Sequence, residues 1–155
     1  MKKLLCCLLA LISLIPMAIA EDTAHSVNVT FEDGFTLSLP AGWVSYEVSP
    51  GLAADGFIYC LGSADGAQLM YIQRWATDLS TSDALHTALE DREEIKLSSA
   101  DPSNGFWMYT FNEGDCSGCA TLFGGSILNL LFMPQSDSET MLIAATALES
   151  FTIAE

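Results

Sequence analysis

The most reactive atoms beyond residue 20 are three thiols. Cys116-Ser-Gly-Cys119 has the Cys-x-x-Cys spacing, and Cys60 is a third cysteine. Such a pair can act as a redox couple, because its short ring favours a stabilised thiolate and thiol–disulfide exchange. Outside the cell, cysteines more often end as structural disulfides. Two bridges are then open: Cys116–Cys119 pins the bend before a strand, whereas Cys60–Cys119 joins two strands. Three thiols leave one unpaired or shared with a second chain. The pair does not stand at a strand-to-helix junction, where thioredoxin-like chemistry places it. Buried free thiols and metal binding are the remaining readings. A four-ligand zinc site lacks partners, since the only histidines are His25 and His86.

Other candidates for chemistry are weaker. His86 and Glu90 stand four residues apart on an expected helix and could share a cation with Asp83, but the run reads as a solvated acidic face. Asp33, Asp55 and Asp65 each precede glycine and read as turn residues, without the ligand spacing of a calcium loop. No Gly-x-Ser-x-Gly occurs. Glu93 and Glu94 are adjacent on the expected helix and point apart, so they form no acid/base pair. Trp43, Trp75 and Trp107 read as core residues more than as the lining of a ligand pocket. No catalytic residue, metal site or cofactor is expected.

Charge narrows the partners. Residues 1–20 have the form of a secretory leader: Lys2 and Lys3, an apolar run from Leu4 to Ile15, then Ala18-Ile19-Ala20 as a small-x-small cleavage site. The run is short for a membrane span, and Cys6 and Cys7 lie too early for a lipoprotein site. Cleavage after Ala20 leaves residues 21–155, one domain's length. All 20 acidic residues remain and only three basic ones, a net charge of −17. Such a surface repels phosphate backbones and anionic headgroups. Nucleic acid is excluded as a partner, and no stable membrane span is expected once the leader is gone.

The elements that would hold these residues follow from periodicity. Val27–Phe31 and Phe35–Leu39 alternate as strands about the turn Glu32-Asp33-Gly34. Val44–Val48, Phe57–Leu61 and Gln68–Trp75 follow as strands, with Ser49–Gly51 and Ala53–Gly56 as loops. Ser80-Thr-Ser-Asp83 is a capping box, with Ser80 as N-cap of a helix to about Glu94. Asp101–Gly105 is a loop, Phe106–Phe111 an aromatic strand and Asn112–Gly118 a bend. Cys119–Phe123 and Ile127–Met133 form a hairpin across Gly124-Gly125. Ser136-Asp-Ser-Glu139 starts a second capped helix, and Glu149–Ile153 returns to the sheet. Gln68–Trp75 and Phe106–Phe111 carry large apolar groups on both faces, so the sheet is covered on both sides. Strands joined by short turns give antiparallel pairing and an α+β fold.

Four features together resemble the PsbP-like fold. They are Phe35-Thr-Leu-Ser-Leu-Pro-Ala-Gly-Trp43, the capped helix after Gln68–Trp75, the Asn104-Gly105-Phe106 lead-in to an aromatic strand, and the closing helix into Glu149-Ser150-Phe151. That fold is shared by a photosystem extrinsic protein, a Ran GTPase cofactor and many small secreted bacterial proteins. The resemblance covers most of Val27–Ile153 and implies an antiparallel β-sheet sandwiched by helices, and no enzyme. The resulting expectation is a secreted or cell-envelope, non-catalytic binding or accessory module. Its partner would be another extracellular or cell-envelope protein. The alternatives are a thiol–disulfide redox protein using Cys116 and Cys119, and a small-ligand or cation carrier.

Overall fold

The computed structural model describes residues 26–99 and 102–153. The leader, its cleavage site and His25 lie outside the described residues. Among those described, no helix is long and apolar enough to cross a membrane.

The first hairpin forms where alternation and the Asp-Gly turn place it. Strands β1 (Ser26–Phe31) and β2 (Phe35–Pro40) pair antiparallel, with Phe31 opposite Phe35. Asp33 does more than turn the chain. One carboxylate oxygen accepts from Arg74 Nη1 at 2.8 Å and the other from the Tyr59 hydroxyl at 2.9 Å. These bonds tie the turn to two later strands, β4 (Phe57–Gly62) and β5 (Leu69–Ala76).

Five further strands are β3 (Val44–Tyr46), β6 (Ile95–Leu97), β7 (Trp107–Phe111), β8 (Ser117–Phe123) and β9 (Ser126–Met133). With β4 and β5 they form a seven-stranded antiparallel sheet in the order β3-β4-β5-β9-β8-β7-β6. Its two outermost strands, β3 and β6, have three residues each. The last strand, β10 (Thr152–Ile153), joins β2 in a separate three-stranded sheet, β1-β2-β10.

The large sheet is apolar on both sides, as expected, and its two covers are unequal. One face packs on the small sheet and on helix α3 (Ser138–Glu149). This core holds Phe35, Leu37 and Leu39 from β2 against Met70, Ile72, Leu128, Leu130 and Phe132. The opposite face carries helix α2 (Ser82–Glu90), which buries Leu85 and Leu89 against Tyr109, Ala120, Ile127 and Leu131. The first face is thus covered by strands as well as by a helix, because β2 alternates and has a complete apolar side to bury.

Smaller departures have local causes. Residues 50–54 form a short helix, α1 (Pro50–Ala54), where loop chemistry was expected. Pro50 presets its first turn, and the Ser49 hydroxyl accepts from Leu52 N. Both longer helices start one residue late. Thr81, not Ser80, caps α2, and Asp137, not Ser136, caps α3. Asp137 also accepts from Gln68 Nε2 and the Thr140 hydroxyl, so its carboxylate satisfies four donors. Its pKa is lowered, first by the Gln68 bond. Helix α2 stops at Glu90, not Glu94, because Ile95 buries its side chain by entering β6, a strand that periodicity did not show. The lead-in behaves as a clamp: Asn104 Nδ2 donates to Leu148 O and Phe151 O, closing the C-terminal end of α3.

Gly118 is the glycine on which the second core depends. A Cβ there would lie 2.2 Å from Tyr109 Cζ. Without one, the Tyr109 ring lies across β8 and its hydroxyl donates to Asn129 Oδ1 on β9 at 2.6 Å. Gly118→Ala is expected to destabilise the fold by about 1–3 kcal/mol through overpacking. Gly51→Ala, on exposed α1 with open space around it, should be neutral or stabilising by up to about 1 kcal/mol. Chemical denaturation of the two variants checks both.

Candidate functional site

Strand parity decides what the thiols can do. Strand β8 begins at Ser117, two residues before the expected start, and the Cys116 carbonyl already accepts from Phe111 N. Side chains alternate along it. Cys119 therefore faces the first core with α3, and Cys116 faces the second core with Tyr109 and Leu131. Three residues of extended chain set their Cα atoms about 10 Å apart, beyond the roughly 7 Å that a disulfide spans. Cys60 lies on β4 opposite Tyr71, three strands from β8, which is about 14 Å. That distance rules out the expected Cys60–Cys119 bridge in this fold. All three cysteines are free thiols here.

Their electrostatics oppose redox chemistry as well. Burial pushes the Cys116 thiol up to about 11, with Asp115 adding to it. Burial pushes Cys119 up to about 12 and raises Cys60 too. A redox couple needs a stabilised thiolate, and none of these sites supplies one.

The remaining sequence candidates scatter. His86 Nδ1 faces Glu90 Oε2 at 3.4 Å, and its ring meets the Trp107 ring at 4.3 Å. Among the described residues, no cluster of three or more His, Cys, Asp or Glu could hold a metal. Asp65 stays a turn residue, accepting from Ser63 Oγ and Ala67 N. Trp43 packs against the first core, while Trp107 donates to Ser82. Trp75 lines a pocket.

Two concavities stand out, one on each face of the large sheet. On the α3 side, β6 and β7 extend past the helix and leave an apolar groove of about 540 Å³. Met108 and Cys119 form its floor, and Met141, Ala144, Ala145 and Leu148 its helical wall. Met108 is 37% and Met141 39% exposed, and neighbouring Leu142 is 67% exposed. Methionines suit such a surface because they adapt to irregular partners. Lys96 stands at the mouth. The charged residues flanking these elements in the chain, Asp115 before β8 and Glu139 and Glu149 at the two ends of α3, are acidic. On the α2 side, a smaller pocket of about 300 Å³ has a polar floor built by Gln73, Tyr109 and Asn129. The sequence pattern concealed both, because each depends on where a helix stops relative to the sheet beneath it.

Comparison with solved structures settles the fold. Cyanobacterial PsbP (CyanoP) from Synechocystis sp. PCC 6803 superposes with a TM-score of 0.53 at 16% identity, covering 84% of this chain and 93% of that one. The fold is PsbP-like. LpqN, involved in cell envelope biogenesis of Mycobacterium tuberculosis, gives a TM-score of 0.45 at 15% identity, over 84% of this chain and 91% of that one. No family model matches the sequence, and no curated protein does. The PsbP-like likeness predicted from Phe35–Trp43 and Asn104–Phe106 therefore holds at the level of fold.

The raised thiol pKa values give a prediction with a definite sign. Folding suppresses ionisation of Cys116, whose ordinary value is 9.0. Its contribution to stability is complete below pH 9 and is lost as pH rises from 9 towards 11. The melting temperature should fall across that window. Alkylation of the native protein by iodoacetamide at pH 8 should be slow at all three thiols and fast after unfolding. Rapid native labelling of Cys116 would contradict this placement.

Proposed function

We propose that this chain is a non-catalytic binding module, exported to the cell envelope or beyond, that docks a basic, amphipathic segment of another envelope protein in the α3 groove. The observation that carries the reading is the groove itself: about 540 Å³, walled by Met108, Met141 and Ala145, beside exposed Leu142. A soluble surface seldom leaves such a patch without a partner. Charge complementarity selects the partner. A body of net charge −17 attracts basic chains over the distance of a Debye length, and Asp115, Glu139 and Glu149 flank the strand and helix that line the groove. The dispersed, high-pKa thiols argue against the redox alternative. The PsbP-like fold is consistent with this role without requiring it.

Two measurements test the proposal. A photo-crosslinking residue at position 145 in the producing cells should give one dominant adduct with a basic protein. The same residue at position 90, on the exposed side of α2, should not, and Met108→Asp should abolish the adduct at 145. Equal adducts at both positions, or no effect of Met108→Asp, would overturn the docking surface. Separately, the exported protein should begin at Glu21 by intact mass. Retention of residues 1–20 would refute the leader.

A further inference from the structure

The polar pocket on the opposite face raises a question that the groove does not answer. Strand β9 reads Ser-Ile-Leu-Asn-Leu-Leu-Phe-Met, and Asn129 sits at its centre only 2% exposed. A central strand between two cores has little use for an amide. Exchanging Asn129 and Tyr109 together for apolar residues of similar shape would cost the fold little. Yet an amide stands there, and it is held in one orientation. Its Oδ1 accepts from the Tyr109 hydroxyl at 2.6 Å, its Nδ2 donates to Gln73 Oε1 at 3.2 Å, and Gln73 Nε2 donates to the Asp55 carbonyl at 2.8 Å. The row runs from β7 across β9 and β5 to the end of α1.

The row is not saturated. Asn129 Nδ2 and Gln73 Nε2 each carry a second hydrogen, and the Tyr109 oxygen keeps lone pairs. These groups form the floor of a pocket of about 300 Å³. The indole of Trp75 and the ring of Phe111 wall it, and Arg92 stands at its rim. Arg92 Nε bonds Glu94 Oε1, so the pair supplies planar polar groups without net charge.

We propose that this pocket binds a neutral sugar ring. A pyranose offers an apolar C–H face for an aromatic wall and hydroxyls that both donate and accept. That combination matches an indole set over a row of half-used amides and a phenol. An anion is disfavoured by the net charge of −17 and by Glu94 already paired with Arg92. An apolar ligand would leave the amide row unpaired. A metal finds no carboxylate here, since none of the residues lining this pocket is an Asp or Glu. The pocket lies on the opposite face of the sheet from the docking groove, so either proposal can fail alone.

Saturation-transfer difference NMR tests it on the exported chain. The probes are glucose, galactose, mannose and N-acetylglucosamine, with N-acetylglycinamide as a peptide-like competitor. At least one sugar should give a signal that saturates in the millimolar range. The same sugar should shift the indole N–H resonance of Trp75 and leave those of Trp43 and Trp107 in place. Trp75→Leu and Gln73→Leu should each weaken binding roughly tenfold, the loss of one ligand contact. The indole shift needs no variant, so it decides the matter even if both substitutions disturb the fold. The proposal is overturned if no sugar saturates, if the shifted indole is not that of Trp75, if both folded variants bind normally, or if only the amide probe binds.

Discussion

A sheet that is apolar on both sides has to be covered twice, and the whole architecture follows from that requirement. Strand β9 is buried from Ser126 to Phe132, which no one-sided sheet allows. One cover is generous: a second sheet and a twelve-residue helix meet the first face. The other is short. Helix α2 has nine residues, about 13 Å of length, and seven strands span about 29 Å. It cannot roof the face it sits on. The uncovered part keeps half-buried rings such as Phe57, Tyr71, Trp75 and Phe111, with a polar row at its centre. The pocket there is the geometric remainder of a helix too short for its sheet.

Periodicity made much of this legible. The alternation at Phe35–Leu39 and the two-sided apolar strands at Gln68–Trp75 and Phe106–Phe111 encode the hairpin, the long strands and the need for two covers. Asp-Gly and Gly-Gly placed the turns because Gly34, Gly56, Gly66, Gly124 and Gly125 lie at positive φ. What periodicity does not encode is the identity of each cover. An amphipathic strand such as β2 can pair with any edge, and only assembly of the chain shows it lying over the large sheet. Three-residue strands such as β6 are too short for an alternation to stand out. The caps slipped by one residue because Thr81 and Asp137 compete with the adjacent serines for the same amide hydrogens.

The thiols show the same lesson at the level of a site. An i, i+3 spacing carries opposite meanings in the two regular structures. On a helix it brings side chains together; on a strand it sends them to opposite faces. Reading Asn112–Gly118 as a bend kept Cys116 and Cys119 on one side. Two more residues of strand move Cys116 to the other core and leave it half-buried and Cys119 buried, both with raised pKa values. Asn129 conceals its role in a comparable way. Inside an apolar run it looks like an interruption, and its meaning depends on Gly118, which lets a tyrosine reach it from two strands away.

The brevity of β3 and β6 has a consequence at high protein concentration. An exposed strand edge is a template on which a second molecule can add its own backbone, and growth by repetition ends in fibres. Three residues at either margin of the large sheet give a newcomer too few amides to hold. That sheet is in effect self-terminating, so the protein can crowd without polymerising along it and is left to meet its neighbours through its faces.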